Sequence, residues 1–384
     1  MRVHIIPFVF MLSLAVAGCQ TNDAEIKDTE TIDTVTVGTD EGTLEVKKSE
    51  RIKPESWRTF FKPESTGVDQ QMAGEANAAK ASVDEARKAV GNGDFEKAEA
   101  ILLEHIRENE DAFDVRLELV QVYLKMNKSK KTWPFLEETR KYLDKAEKPN
   151  PELNFKYRYV LALAHLKEGN SDKAKKILSS LIAEDKTFIP AYALLASHYL
   201  SKGKISIAEF VAKQGIDRGG EEERLTNLMG SINSKLGKHQ DALSWFDRSL
   251  KHSPGYAPAL MNRAGFYITR GEFDLAQKDL APLEQSHAND ASFCLLRGIL
   301  YGKQNQDQLA LASLEKALQL DPENPHIRYH LAVLFEEKLD DNANALRLFQ
   351  EAMQLSGENS PLQELAEWHV RSLATREFAQ AYLR

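Results

Sequence analysis

Residues 259–280 read ALMNRAGFYITRGEFDLAQKDL, and this stretch decides the fold. A small residue, Ala264, and an aromatic residue, Tyr267, precede Gly271. Glycine readily takes the left-handed backbone conformation that ends many helices. Another small residue, Ala276, follows five positions later. The stretch therefore predicts a helix, a tight turn at Gly271 and a second helix.

The same pattern recurs along the chain at a nearly constant spacing. The small residue of the second helix recurs as Ala98, Thr132, Ala174, Ala208, Ala242, Ala276, Ala310 and Ala345. The gaps are 34, 42, 34, 34, 34, 34 and 35 residues. Five positions before each marker stand the turn residues Gly93, Asn127, Gly169, Gly203, Gly237, Gly271, Asn305 and Asp340. A fixed period of this length indicates a repeat protein.

These columns resemble the tetratricopeptide-repeat (TPR) family, whose period is about 34 residues. The resemblance covers about eight repeats and implies an all-α helix-turn-helix solenoid over residues 71–358. The second repeat has eight additional residues, and we expect its second helix to be extended before residues 147–151. Ser360 and Pro361 predict the start of a capping helix over 359–384, which would bury Leu365, Val370 and Leu373.

The N-terminus has the pattern of a secretory signal. Arg2 precedes an uncharged run from Ile5 to Ala17, which is too short to span a bilayer. Residues 16–19, Val-Ala-Gly-Cys, resemble the bacterial lipobox. The resemblance implies a signal peptide over 1–18 and covalent lipid on Cys19, with no other cofactor. Gln20 implies sorting to the outer membrane, with the folded part at its periplasmic face.

Residues 19–70 predict a flexible acidic tether, since they contain too few apolar side chains to form a core. Within it, Trp57, Phe60 and Phe61 form an aromatic segment. Two interpretations remain open: the segment docks on the protein's own first repeats, or it is a short partner-binding motif.

Composition excludes several classes of protein. The chain has 50 Lys and Arg against 58 Asp and Glu, a net charge of −8, and loss of Arg2 with the signal peptide makes it −9. This acidity argues against general nucleic-acid binding. Cys294 is the only cysteine besides Cys19, so a disulfide framework is excluded.

Catalytic and metal-binding patterns are weak. His326 and His330 have the spacing of two metal ligands on one helix, but no third ligand accompanies them, and we interpret them as surface histidines. Cys294 lies in a regular packing column and is expected to be inert. The sequence therefore predicts neither an enzyme nor a metal site.

The TPR resemblance implies that the first helices line a partner-binding groove. The groove positions carry Tyr159, Leu163, Leu166, Asn227, Ser231, Met261, Ile268, Leu295, Ile299 and Tyr329. This mostly apolar strip would suit an extended peptide or an amphipathic helix. The family's basic clamp for a C-terminal carboxylate is not matched, because its arginine column reads Val160, Leu194 and Leu228.

The layout resembles TPR lipoproteins of Gram-negative bacteria. The first expectation is a scaffold that aids assembly of a pilus or secretion machine, as type IV pilotins and Tad/Flp pilus lipoproteins do, with a secretin or pilus component as partner. Adaptors for cell-wall hydrolases and proteases, and polysaccharide export, are the alternatives. An enzyme with an unrecognised site is a distant one.

Overall fold

The computed structural model describes residues 70–91, 93–147, 150–357 and 360–382, without the side chains of 70–78 and 376–382. In these ranges the chain forms 17 α-helices and two short 3-10 helices, with no strand. The predictions for Cys19, the acidic tether and the Trp57–Phe61 segment lie outside the described residues. The fold divides into two compact units, the N-terminal unit up to Ser253 and the C-terminal unit from Pro254.

The N-terminal unit contains five helix pairs, one for each of the first five repeats. The helices are α1 (Gln70–Gly91), α2 (Phe95–Glu108), α3 (Phe113–Lys125), α4 (Thr132–Lys145), α5 (Pro151–Lys167), α6 (Ser171–Glu184), α7 (Ile189–Ser201), α8 (Ile205–Gly219), α9 (Glu223–Lys235) and α10 (His239–His252). A 3-10 turn, Ser129–Lys131, precedes α4.

The C-terminal unit contains three helix pairs and a final long helix. The helices are α11 (Ala257–Thr269), α12 (Phe273–Leu280), α13 (Ala291–Lys303), α14 (Asp307–Leu320), α15 (Pro325–Glu337), α16 (Asn342–Leu355) and α17 (Pro361–Tyr382). A 3-10 turn, Ala281–Leu283, continues α12.

All eight predicted turn residues have positive φ angles. The angles run from 50° at Asp340 to 80° at Gly169, with Asn127 at 57° and Asn305 at 58°. The left-handed residue reverses the chain after each first helix, so the second helix packs back against it. The predicted helix-turn-helix unit is confirmed in every repeat.

The predicted small residues lie where the two helices of a pair cross. All eight marker residues of the second helices, Ala98 to Ala345, are fully buried. On the first helix, an ideal Cβ built at Gly230 would lie 2.4 Å from Cδ1 of Phe246. The helices therefore approach more closely than a larger side chain would permit.

The eight additional residues of the second repeat are not confined to its second helix. α4 has the usual 14 residues, but a 3-10 turn delays its start by three positions. The following helix, α5, has 17 residues where other first helices, such as α7, have 13. The expectation of one extended helix was wrong, because Asn150 caps α5 and lets it begin early.

The predicted capping helix is present as α17. The Ser360 hydroxyl accepts a hydrogen bond from the Gln363 amide at 3.1 Å, as an N-cap does. Of the side chains expected to be buried, Leu373 is fully buried, whereas Leu365 and Val370 are only half-buried. Leu362, Ala366 and His369 complete the buried face.

Among the described helices, none combines the length and the apolar composition needed to cross a bilayer.

Candidate partner-binding groove

The first helices of successive repeats contact one another within each unit. In the N-terminal unit α3 contacts α5, α5 contacts α7, and α7 contacts α9. In the C-terminal unit α11 contacts α13, and α13 contacts α15. This arrangement brings the predicted groove residues into two sets, one per unit.

Three predicted groove residues lie on α5 and are half-buried. Tyr159 packs edge-to-face on Phe188, with ring centroids 5.9 Å apart. Burial raises the pKa of the Tyr159 hydroxyl, so this side chain stays neutral at physiological pH. Leu163 and Leu166 pack against the neighbouring apolar clusters and keep part of their surface exposed. α5 therefore offers an apolar, uncharged surface.

The two predicted groove residues on α9 are polar. Asn227 is buried, with 8% of its surface exposed, whereas Ser231 is half-buried. The Ser231 hydroxyl donates to the Asn227 backbone carbonyl at 3.3 Å. Asn227 therefore belongs to the packed interior, and Ser231 lies at its margin.

The five predicted groove residues of the C-terminal unit differ in exposure. Met261, Leu295 and Ile299 are half-buried on α11 and α13. Ile268 is buried.

Tyr329, the fifth of them, is 2% exposed and lies in the core of the last repeat. Its hydroxyl lies 3.2 Å from Nε2 of His369, and its ring packs against Phe349. Because α17 supplies His369 and packs over this repeat, Tyr329 is available for packing and not for contact with a partner.

The two histidines of α15 lie in different surroundings. His326 is exposed and His330 is half-buried. Burial lowers the pKa of His330 to about 3, with smaller contributions from His326 and Lys303. The pKa of His326 is lowered as well, because neighbouring protein atoms partly desolvate its ring although much of the residue surface is exposed. Both rings are neutral at physiological pH, and the described residues contain no group of three metal-binding side chains.

Cys294 is fully buried in α13. Its thiol donates to the Ala288 carbonyl at 3.4 Å, and burial raises its pKa. The thiol is therefore protonated and shielded, whereas a catalytic cysteine is an accessible thiolate.

A buried ionic cluster was not predicted from the sequence. Glu118 of α3 is 7% exposed, and its carboxylate lies 2.8 Å from both Arg87 of α1 and Lys156 of α5. Burial disfavours the Glu118 carboxylate, yet the charges of Lys156 and Arg87 outweigh burial and hold its pKa below the usual value. This cluster joins the first helices of three repeats. The only sequence signal was a carboxylate in the apolar face LELVQV, residues 117–122.

A shallow depression of about 450 Å³ lies over α10, away from the first helices. It is lined by Gln240, Leu243, Ser244, Asp247, Arg248 and Lys251. These residues follow one face of a second helix, so the depression is separate from the predicted groove.

Comparison with known proteins agrees with this architecture. Residues 298–338, which include the turn at Asn305, match the family model described as TPR repeat. Each unit is a TPR solenoid. A chain of the crystal structure of the APC/C hetero-tetramer Cut9–Hcn1 has a TM-score of 0.55 and 14% identity. The match covers 75% of this chain but only 54% of that one, so this protein spans about half its length.

Two further structures are similar over part of the fold. A tetratricopeptide repeat protein from Parabacteroides merdae has a TM-score of 0.47 and 15% identity, over 78% of this chain and 99% of that one. The Pseudomonas aeruginosa protein pilF has a TM-score of 0.39 and 18% identity, over 50% and 88%. At these scores neither likeness supports an inference about function.

Proposed function

We propose that this protein is a lipid-anchored scaffold that binds partner proteins through its first helices. TPR solenoids mediate protein–protein interactions, and the half-buried apolar side chains of the first helices carry the proposal. Met261, Leu295 and Ile299 keep accessible apolar surface on adjacent helices of the C-terminal unit. Contiguous accessible apolar surface of this kind is typical of interaction sites.

The chemistry of this surface favours an apolar segment as its ligand. The accessible groove residues of the C-terminal unit are Met261, Leu295 and Ile299. All three are uncharged; the methionine is flexible, and the leucine and isoleucine are branched aliphatics. Methionine adapts to ligands of irregular shape, and aliphatic rows accept the apolar face of an amphipathic helix. The expected ligand is thus an amphipathic helix or an extended apolar peptide of another protein.

We further propose that this scaffold aids assembly of a pilus or secretion machine at the outer membrane. The support is the lipobox-like Val-Ala-Gly-Cys sequence at 16–19 followed by an acidic stretch and a long repeat array. The lipid would concentrate the repeats at the membrane surface, where such machines assemble.

The groove is tested by a Met261→Glu, Leu295→Glu double variant. Charges introduced into an apolar contact weaken binding strongly, because they lose hydration without gaining a partner. The matched control is Leu275→Glu, Leu309→Glu, since these leucines are 44% and 51% exposed on the second helices. Partners are captured from detergent-solubilised native membranes and identified by mass spectrometry.

We expect a secretin or pilus component with the native chain and with the control, and its loss with the groove variant. Circular dichroism confirms that both variants are folded. Partners retained by a folded groove variant would exclude this surface, and recovery of cell-wall hydrolases instead would replace the proposed pathway.

The anchor is tested separately by Cys19→Ser. Without the thiol no lipid can be attached, so the protein should move from the membrane to the soluble fraction on cell fractionation. Unchanged membrane association would contradict the proposed lipidation.

A further inference from the structure

Lysines are concentrated at four turns of the N-terminal unit. Within four positions of Asn127, Gly169, Gly203 and Gly237 there are ten lysines and three carboxylates, an excess in a chain of net charge −8. We call the side of the unit that carries these turns the lysine edge. Its exposed members are Lys125, Lys130, Lys131, Lys167, Lys173, Lys202, Lys204 and Lys238.

Side-chain contacts show that neighbouring turns lie on the same edge. Lys131, four positions after Asn127, lies 2.9 Å from Glu99 in the N-terminal half of α2. The Trp133 indole donates to Glu168, which precedes Gly169. These contacts connect the turns of the first three repeats.

The turn at Gly203 continues the same stack. Burial lowers the pKa of His198, the charges of Lys202, Lys175 and Lys204 lower it further, and Asp172 raises it; Lys202 and Lys204 flank Gly203, whereas Lys175 and Asp172 lie on the neighbouring α6. Contacts of α9 with both α7 and α8 continue the stack to the turn at Gly237. The lysines of these turns therefore lie along one side of the stack.

Stabilisation of helix ends does not explain this concentration. A lysine near a helix C-terminus interacts favourably with the helix dipole. The turns at Gly93, Gly271, Asn305 and Asp340 end equivalent helices, yet within the same four positions carboxylates outnumber Lys and Arg at three of them and equal them at Asn305. Capping of helix ends therefore does not account for the lysines at the second to fifth repeats.

The loops between the repeats of this unit carry both signs of charge. Their carboxylates include Glu184, Glu221 and Glu222, which form ion pairs with Arg158, Arg248 and Arg224. A polyanion is accordingly attracted more strongly to the lysine edge than to these loops.

We propose that residues 20–50 of this chain bind the lysine edge of the N-terminal unit. This stretch has nine carboxylates and three lysines, a net charge of −6 opposite in sign to the edge. Because both belong to one chain, their effective concentration is on the order of millimolar, so weak individual contacts suffice.

The length of the intervening chain permits this contact. Residues 51–69 can span up to about 65 Å when extended. α1 begins at Gln70, has 22 residues and is about 33 Å long, and it leads directly to the turn at Gly93. The acidic stretch can therefore reach the lysine edge from the start of α1.

The proposal is tested in the full lipidated chain in a neutral detergent. The edge variant replaces Lys130, Lys202, Lys204 and Lys238 with Gln. The control variant replaces the same number of lysines elsewhere in the unit, Lys141, Lys145, Lys213 and Lys251, with Gln. A glutamate-specific protease then cleaves within residues 20–50, and the initial rate of this cleavage is measured.

Bound glutamates are protected, so the edge variant should be cleaved at least about threefold faster than the native chain, and the control variant at the native rate. Raising salt from about 0.01 M to about 1 M shortens the Debye length from about 30 Å to about 3 Å, and it should abolish the difference. Equal cleavage of edge variant, control and native chain would overturn the proposal.

Zero-length carbodiimide crosslinking supplies an independent measurement. Links from carboxylates of residues 20–50 should fall mainly on lysines of the edge and be independent of protein concentration. Links spread over all exposed lysines would overturn the proposal. Links that increase with protein concentration would show binding to a second copy, which also contradicts it. None of these results depends on whether the groove binds a pilus or secretion component.

Discussion

Glycine occupies two different kinds of position in these repeats. At the turns, as at Gly203, φ is +71° and the surrounding space is open. At the helix crossing, Gly230 is helical, but a Cβ there would lie 2.4 Å from Cδ1 of the Phe246 ring. Conformational freedom requires the first glycine, whereas close packing requires the second.

Gly230→Ala should destabilise the N-terminal unit by about 1–3 kcal/mol, because the Phe246 ring must move out of its rotamer. The control is Gly91→Ala at the end of α1, where no atom lies within 4 Å of the added methyl group. Helix propensity favours Ala there, so the control should be neutral or slightly stabilising. Chemical denaturation measures both, and equal midpoints would contradict the packing account.

His330 makes the C-terminal unit sensitive to mild acid. Its folded pKa of about 3 lies below the usual 6.5, so between these values the unfolded chain binds a proton that the folded chain does not. The contribution of this ring to the free energy of unfolding is therefore fully present above pH 6.5 and is lost as the pH falls below that value. With the half-burial of the ring taken into account, the loss at pH 5 should be about 1–2 kcal/mol.

His330→Gln should flatten the dependence of unfolding free energy on pH between 7 and 5. The matched variant, His239→Gln, removes an exposed histidine of the other unit and should leave this dependence unchanged. An unaltered slope in His330→Gln would show that this ring is protonated in the folded protein.

At the scale of elements, the sequence predicted helix pairs but not the ion pairs within them. The columns of small and turn residues follow from backbone geometry, so they recur in every repeat. By contrast, the ion pairs that join the two helices of a pair have sequence separations of 26 residues in Arg158–Glu184, 16 in Arg263–Asp279 and 23 in Arg328–Glu351. No fixed sequence spacing identifies such pairs, because long, flexible side chains can reach each other from several different positions along the two helices.

The capping helix is held by a buried polar cluster. His369 Nδ1 lies 2.6 Å from the Glu336 carboxylate, with side-chain exposures of 3% and 6%. The His369 ring also stacks on Phe349 at 4.4 Å. α17 is thus fixed to the last repeat by both this polar contact and packing.

His369→Ala should destabilise the C-terminal unit by about 3–5 kcal/mol, because it removes a hydrogen-bonding partner of the buried Glu336 carboxylate together with the ring that stacks on Phe349. The exposed pair Arg371–Glu367 provides the control, and Arg371→Ala should cost less than about 1 kcal/mol. Thermal unfolding and hydrogen exchange of α17 measure the effect.

Replacing both His369 and Glu336 with Leu should recover most of the stability, since the buried carboxylate is then removed together with its histidine partner. A double variant as unstable as His369→Ala would contradict the electrostatic explanation and assign the loss to packing alone.

At the scale of the whole molecule, the candidate groove was only partly predictable. Repeat columns place Met261 and Leu295 on the first helices, where both are half-buried. The same columns place Tyr329 under α17, and Ile268 and Asn227 inside the packed interior. A column specifies the face of a helix, but it does not reveal what else packs over that face. The lysine-rich turns of the N-terminal unit were not predicted, because the net charge of the chain sums over all its residues and does not show where lysines are concentrated.

Stacked repeats contact mainly their neighbours, so their stability should be local. Gly298→Ala tests this, because a Cβ there would lie 2.7 Å from Cγ of Leu314, in the same repeat. Hydrogen exchange should accelerate in α13 to α15 and remain unchanged in α5 to α8 of the other unit. In a stacked array the substitution destabilises the altered repeat and its immediate neighbours, whereas in a globally cooperative domain it destabilises every helix. Equal loss of protection in both units would therefore mean that the two units unfold as one.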